Sequence, residues 1–380
     1  MAAAAGAVGV LLTAFLAEDG LRRAQFAWLI AALFVLTLGL GALFFVLLQH
    51  LVRSGWSVAV RRVAEKVALT IPAAGLLLVP VVLPTLLGHG GLFPWAAADA
   101  AHESELIAHK RPWLNGPFFA LRIALYIGAW SWLARWFAAR SREQDLSGDP
   151  QATLAMQRRS APAMVLYGVT VAFASFDLVM SLTPEWFSTI FGVYVFAGSV
   201  LGFLGLCVPL VLLLERRGRL RDVVTVEHYH DLGRLLFAFV FFWGYIAFSQ
   251  YLLIWYANVP EETVWFQPRQ RGGWAPVSLT LVFGHFLLPF AGLLSRRVKR
   301  RRGLLAAWGA ALVALHYVDL LWLVGPAFRA AGPAFGLPEV AALAGAGGVF
   351  AHALLRASEH SPLVPIRDPR LGESLALRQT

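Results

Sequence analysis

"HYHDLGRLLFAFVFFWGYIAFSQYLLIWYANVPEETVWF" occupies residues 228–266. Behind its opening His-Tyr-His-Asp, and past Arg234, lies an apolar run long enough to cross a bilayer as one helix, with Ser249 and Gln250 inside it. The rest of the chain repeats this pattern. Of 380 residues, 58% are hydrophobic and 14% charged, with a mean hydropathy of +0.65. Too few polar side chains exist to cover a water-soluble surface. The sequence therefore predicts an all-α, polytopic membrane protein. Spans are expected at about 26–51, 67–88, 114–137, 161–182, 186–214, 233–257, 275–294, 303–325 and 338–356. Residues 1–17 are apolar but barely long enough; if they also cross, the nine transmembrane helices become ten.

The net charge of +10 comes in short basic runs between spans, which is how topology signals are distributed and not how a nucleic-acid surface is built. One set of connections holds Arg53, Arg61, Arg62 and Lys66; Arg135, Arg140, Arg142, Arg158 and Arg159; and Arg216, Arg217, Arg219, Arg221 and Arg234. It continues with Arg296, Arg297, Lys299, Arg300, Arg301 and Arg302, then Arg356, Arg367, Arg370 and Arg378. The other set keeps Arg22, Arg23, Lys110, Arg111, Arg269, Arg271 and Arg329, and Arg122 falls within a span. The positive-inside rule makes the first set cytoplasmic, with the C-terminus inside. The chain is then expected to form one integral membrane domain followed by a cytoplasmic tail, 357–380.

Between the fourth and fifth spans, Thr183 is expected to cap a helix beginning at Pro184, with Glu185 in its first turn. That helix would run to Glu215, about 45 Å, and overshoot the bilayer. The outer loops 88–113 and 258–274 end in tryptophans (Trp95 and Trp113; Trp265 and Trp274), consistent with interfacial anchoring or with docking a partner.

The single cysteine, Cys207, excludes an internal disulfide or a thiolate-held cluster within this chain. His228, His230 and Asp231 read as a capping, solvated helix start, as a proton entry or, least favoured, as a metal site; residues two apart on a helix do not share a face. His102, Glu105 and His109 would share one, so a metal is geometrically possible there. A bis-histidine haem would have only His285 and His316 at mid-membrane depth, and no second pair is evident.

Polar groups inside spans need a reason, since each ionisable one costs about 2.5–3.5 kcal/mol at depth. They are Arg122, Asp177, Ser249, Gln250, His285, His316 and Asp319, with Tyr317 adjacent. Asp177, Asp319 and Arg122 fall in the outer half and His285 and His316 nearer the middle. Few titratable groups lie between them and the inner face, where the acids (Glu65, Glu215) sit at span ends. Two readings follow. One is a proton half-channel open to the outer side; the other is structural pairing of Arg122 with Asp177 and of His316 with Asp319. Ser249 and Gln250 are expected level with His285 and His316.

Five stretches carry a resemblance: "SLTPEWFSTIFGVYVFAG" (181–198), the stretch at 228–266, "WAPVSLTLVFGHFLLPF" (274–290), "HKRPWLNGPFFALR" (109–122) and "PLVPIRDPRLGESL" (362–375). From about residue 24 onward the chain resembles the ActF-type subunit of bacterial alternative complex III. The resemblance implies an NrfD-like fold, that of polysulfide reductase membrane subunits, with two four-helix bundles (about 26–182 and 186–325) and a last helix at 338–356. It implies a complex of the bacterial inner membrane that oxidises menaquinol or ubiquinol and passes electrons to cytochrome c or another periplasmic acceptor. Haem c and iron–sulfur clusters would reside in partner subunits, beside a companion NrfD-like subunit, and this subunit would hold no cofactor. It would be a non-catalytic subunit conducting protons through Asp177, Ser249, Gln250, His285, His316, Tyr317 and Asp319, with entry at His228, His230 and Asp231. The alternatives are a quinone-binding membrane anchor and a scaffold docking a terminal oxidase.

Overall fold

A computed structural model describes residues 20–88, 91–97, 99–100, 104–359 and 362–378. Nine helices among the described residues are long and apolar enough to cross a membrane. They are α1 (Gly20–Leu51), α2 (Val58–Leu86), α3 (Gly116–Ser147), α4 (Pro150–Leu182) and α5 (Phe191–Arg216), then α6 (Val226–Ala257), α7 (Trp274–Leu294), α8 (Arg302–Phe328) and α9 (Leu337–Glu359). The protein is an all-α, multi-pass membrane protein. Residues 1–17, and with them the question of a tenth span, lie outside the described residues, as does His102.

Helix ends follow local chemistry. The Asn115 side chain accepts from Phe118 N at 3.0 Å and opens α3. Gly148, at φ +69°, closes it, since a left-handed residue ends a helix at little cost only where Cβ is missing. Asp149 then caps α4 by accepting from Gln151 N at 2.9 Å. α2 is broken into Val58–Ala68, Ile71–Leu76 and Val79–Leu86. The breaks precede Pro72 and Pro80, whose missing N–H interrupts the ladder.

The expected start of the fifth span is corrected. α5 begins at Phe191 with Ile190 preceding it, and Thr183 and Pro184 belong to a turn. There the Trp186 indole stacks on Trp265 (centroids 4.5 Å apart) and donates to Glu262 O at 3.0 Å. That contact holds the turn against the 258–274 loop, so the chain cannot coil from Pro184.

α1 is apolar on every side and buried on every side. It packs on α2, α4, α5, α8 and α9, while α5 packs on α4, α6 and α8. Helices α1–α4 and α5–α8 thus each close a ring of four, joined along α1 and α5, with α9 laid on α1. Glycines allow the central approach. A methyl on Gly41 would strike the Ser199 carbonyl, and Gly205 and Gly309 face each other backbone to backbone.

The arginine-rich end is tied by ion pairs, those of Arg61 and Arg62 buried and that of Arg302 partly exposed. Arg61 reaches Asp368 at 2.6 Å, and Arg62 reaches Glu65 at 3.0 Å and Asp145 at 2.8 Å. Arg302 pairs with Glu215, which also accepts from Tyr229 at 2.6 Å. Asp368 brings the C-terminal segment under the bundles, where Ser374 donates to Trp56 O at 2.7 Å.

Candidate functional site

A buried polar constellation lies where α5, α6 and α8 meet. Asp319 on α8 is 1% exposed. Tyr194 on α5 donates its hydroxyl to Asp319 Oδ1 at 2.5 Å, and Trp243 on α6 donates its indole N–H to Oδ2 at 3.3 Å. No cation pairs with Asp319 among the described residues. A carboxyl held by two neutral donors can change protonation state without breaking an ion pair. The indole of Trp243 also lies on the His285 ring, centroids 4.3 Å apart. His285 is fully buried with no partner at either nitrogen. It sits in a π-helical stretch of α7, Leu281–Leu287, a local widening of the helix often found at functional sites.

One turn along α8 from Asp319 is His316. Its Nε2 meets Thr37 Oγ1 of α1 at 2.8 Å, and Thr37 Oγ1 lies 2.9 Å from Phe34 O. The single hydroxyl hydrogen goes either to Phe34 O, with the ring proton then on Nε2, or to Nε2, with the ring proton then on Nδ1. Nδ1 has no partner. His316 and Asp319 make no hydrogen bond to each other, so the pairing considered from the sequence is not formed. Both instead face a stripe of α5 containing Tyr194, Gly198 and Gly202. A Cβ on Gly202 would lie 2.6 Å from His316 Cδ2; one on Gly198 would lie 3.5 Å from Asp319 Oδ2 and 3.6 Å from His316 Nδ1.

A cavity of about 500 Å³ opens beside this constellation, between α6 and α7. Tyr194 and Trp243 form part of its inner wall, Phe248, Val282 and Leu287 its outer wall, and Arg269 lines it too. The three outer residues are exposed on the apolar flank of the bundle, so the cavity opens sideways toward lipid. Its volume is typical of small-molecule sites. Arg269 is buried, donates to Trp265 O at 2.5 Å and Leu323 O at 2.8 Å, and keeps Nε unpartnered.

Asp177 belongs to a different place and a different chemistry. Arg122 grips it with two bonds, 2.9 and 2.7 Å. Tyr126 and Trp113 each donate to it at 3.0 Å. The guanidinium also lies over Trp113 and Phe118, 4.1 and 4.4 Å from their centroids. Four hydrogen bonds fill the carboxylate, which ties α3 to α4 as the structural reading anticipated.

Other sequence candidates fall elsewhere. His228 completes a capping box with Thr225 at the start of α6, and its Nε2 meets Ser374 at 3.1 Å. Asp231 pairs with Arg234 at 3.2 Å, and His230 is buried in the same first turns. Ser249 and Gln250 are not level with His285, because Trp243 occupies that level and Ser249 lies about 9 Å further along α6. Gln250 is buried with its amide nitrogen unpartnered. Tyr317 points toward α1 and meets Phe34 edge-on at 5.6 Å. No cluster of three metal-type ligands occurs among the described residues.

Tyr194, Trp243, Thr37 and Arg269 were not identifiable as site residues from the sequence. The signal for Tyr194 is the spacing of Tyr194, Gly198, Gly202 and Gly205, a small-residue stripe at helical repeat that begins with a hydroxyl. Trp243 had no signal of its own in an aromatic run. Comparison of the sequence with protein-family models and with curated proteins returns no match.

Proposed function

We propose that this chain is a membrane subunit of a quinol-oxidising respiratory complex of the alternative complex III type, and that it conducts protons through the Asp319 constellation. The observation that carries the reading is the environment of Asp319. It is a buried acid with two neutral donors and no paired cation among the described residues, one helical turn from a histidine with an unpartnered ring nitrogen. The resemblance supplies the setting, an inner membrane with redox cofactors in partner subunits, and the positive-inside rule makes the arginine-rich end cytoplasmic. A proton arriving from the outer side would pass Tyr194 and Asp319 and reach His316. Beyond it, toward the arginine-rich end, the next acid is Glu215, held by Tyr229 and Arg302.

The test is proton flux into proteoliposomes holding the full chain, driven by a potassium diffusion potential and read with an entrapped pH dye. Asp319→Asn should reduce flux at least about a hundredfold, the scale of losing an acid–base group. Wild-type flux in that variant would overturn the reading.

A second reading, a quinone-binding anchor, is favoured by the lateral cavity, whose aromatic walls open to the bilayer. Photolabelling with an azido-quinone should then mark α6 or α7, and Phe248→Trp should suppress it. Labelling absent from this chain would reject that reading.

A further inference from the structure

We infer that one water molecule binds beside Gly198 and bridges Asp319 and His316. The inference rests on the proton-conduction reading for its purpose but not for its geometry. Asp319 Oδ2 and His316 Nδ1 lie 3.5 and 3.6 Å from the point where a Cβ of Gly198 would sit. They make no bond to each other, and Nδ1 is fully buried without a partner.

The hydrogen inventory identifies the ligand. Asp319 presents acceptor capacity on Oδ2, where its only donor among the described residues, Trp243, is 3.3 Å away. His316 Nδ1 accepts when the Thr37 hydroxyl gives its hydrogen to Phe34 O and donates when that hydrogen goes to Nε2. Water serves both forms, because it donates to Oδ2 and either donates to Nδ1 or accepts from it. A buried water is stable when polar groups of this kind surround it.

The bridge also balances a proton step. When Asp319 is protonated and the ring proton of His316 is on Nε2, the carboxyl hydroxyl gives a proton to the water oxygen as the water gives one of its own to Nδ1. The products are a carboxylate, still held by Tyr194 and Trp243, and an imidazolium whose Nε2–H stays on Thr37. No electron moves and no bond other than O–H and N–H changes.

Gly198 is also where a substitution separates this site from helix packing. A methyl there meets its neighbours at 3.5 Å, an ordinary contact, whereas one at Gly202 would press into His316 at 2.6 Å. Gly198→Ala should therefore keep the fold while taking the space that the water needs. Gly198→Ser returns a hydroxyl to the same place.

Two measurements test the inference. A structure of the full chain at water-resolving resolution should show one oxygen within hydrogen-bond distance of both Asp319 Oδ2 and His316 Nδ1, absent in Gly198→Ala. In proteoliposomes, Gly198→Ala should cut proton flux at least about tenfold with an unchanged melting temperature, and Gly198→Ser should recover part of it. An empty gap in the wild-type structure, or full flux in Gly198→Ala, overturns the bridge. Flux that survives Asp319→Asn instead overturns proton conduction, and the water is then judged from the structure alone.

Discussion

Tyr194 and Asp319 join α5 to α8 through one short hydrogen bond, phenol to carboxyl, at 2.5 Å. The bond sits at the top of the glycine stripe that lets the two helices approach. Tyr194 also lines the lateral cavity, so its ring separates Asp319 from the lipid side. Tyr194→Phe keeps that ring and removes only the donor. It should cost about 1–2 kcal/mol, the upper range for hydrogen bonds between membrane helices, read as a lower melting temperature in detergent. Proton flux should fall as well, because the outer contact of Asp319 is gone. A melting temperature and flux both equal to wild type would show that the bond contributes to neither.

Trp243 holds Asp319 more loosely, at 3.3 Å, and its larger contact is with the His285 ring. Trp243→Phe preserves an aromatic surface for His285 and deletes the indole N–H. Its stability cost should be under about 1 kcal/mol, smaller than that of Tyr194→Phe in the same assay. The reverse order would mean that stacking on His285, and not donation to Asp319, fixes this corner.

The Asp177 cluster makes the opposite prediction. Its carboxylate is filled by Arg122, Tyr126 and Trp113. Arg122→Met alone should destabilise by about 3–5 kcal/mol, since it strands a buried charge. Arg122→Met with Asp177→Leu should recover much of that loss, and proton flux should match wild type. Lost flux in the stable double variant would restore Asp177 to the path.

How far these sites were legible depends on what each required. The spans were readable because lipid demands long apolar helices, and each span falls on one of α1–α9. The capping at His228 was readable because it is local chemistry; the expected solvation of this helix start was wrong, since the C-terminal segment packs there and His228, His230 and Asp231 are buried. The Arg122–Asp177 pair was foreseeable as two opposite charges at one depth. The partners of Asp319 were not. Tyr194 and Trp243 are ordinary aromatic residues until the rotation of three helices points them at one carboxyl. Ser249 and Gln250 failed for a different reason, because depth counted from span ends ignores where α6 begins. It starts at Val226, several residues before the expected 233. The turn at Thr183 had good capping residues, and packing of Trp186 on Trp265 overrode them.

Gly41 offers a packing test independent of the polar site. Its missing side chain lets α1 meet the Ser199 carbonyl of α5 at the junction of the two helix rings. Gly41→Ala forces the helices apart and should cost about 1–3 kcal/mol, measured as thermal stability in detergent. Because Thr37 lies one turn away on α1, the same shift should weaken its bond to His316 and lower flux. Gly168→Ala on α4, with open space around it, is the control and should change neither.

The C-terminal segment supplies the last prediction. Ser374 Oγ donates to Trp56 O at 2.7 Å, accepts from Ala59 N at 3.2 Å and meets His228 Nε2 at 3.1 Å. One hydroxyl therefore links the connection before α2, the start of α2 and the start of α6. Ser374→Ala leaves a buried backbone N–H and carbonyl without this partner, at a cost of about 1–3 kcal/mol. Asp368→Asn removes the carboxylate from Arg61, which is 3% exposed and keeps only the longer Glu65 contact, at 3.4 Å. Both changes loosen the same segment, so residues 362–378 should become cleavable by trypsin at Arg367 and Arg370 in the folded protein. Limited proteolysis followed by mass spectrometry reads this directly. Since the segment touches α6 at His228 and not at Trp243, cleavage should leave the Asp319 constellation and its proton flux intact. Flux lost together with the segment would instead tie the arginine-rich end to conduction, through the His228 turn first considered as a proton entry.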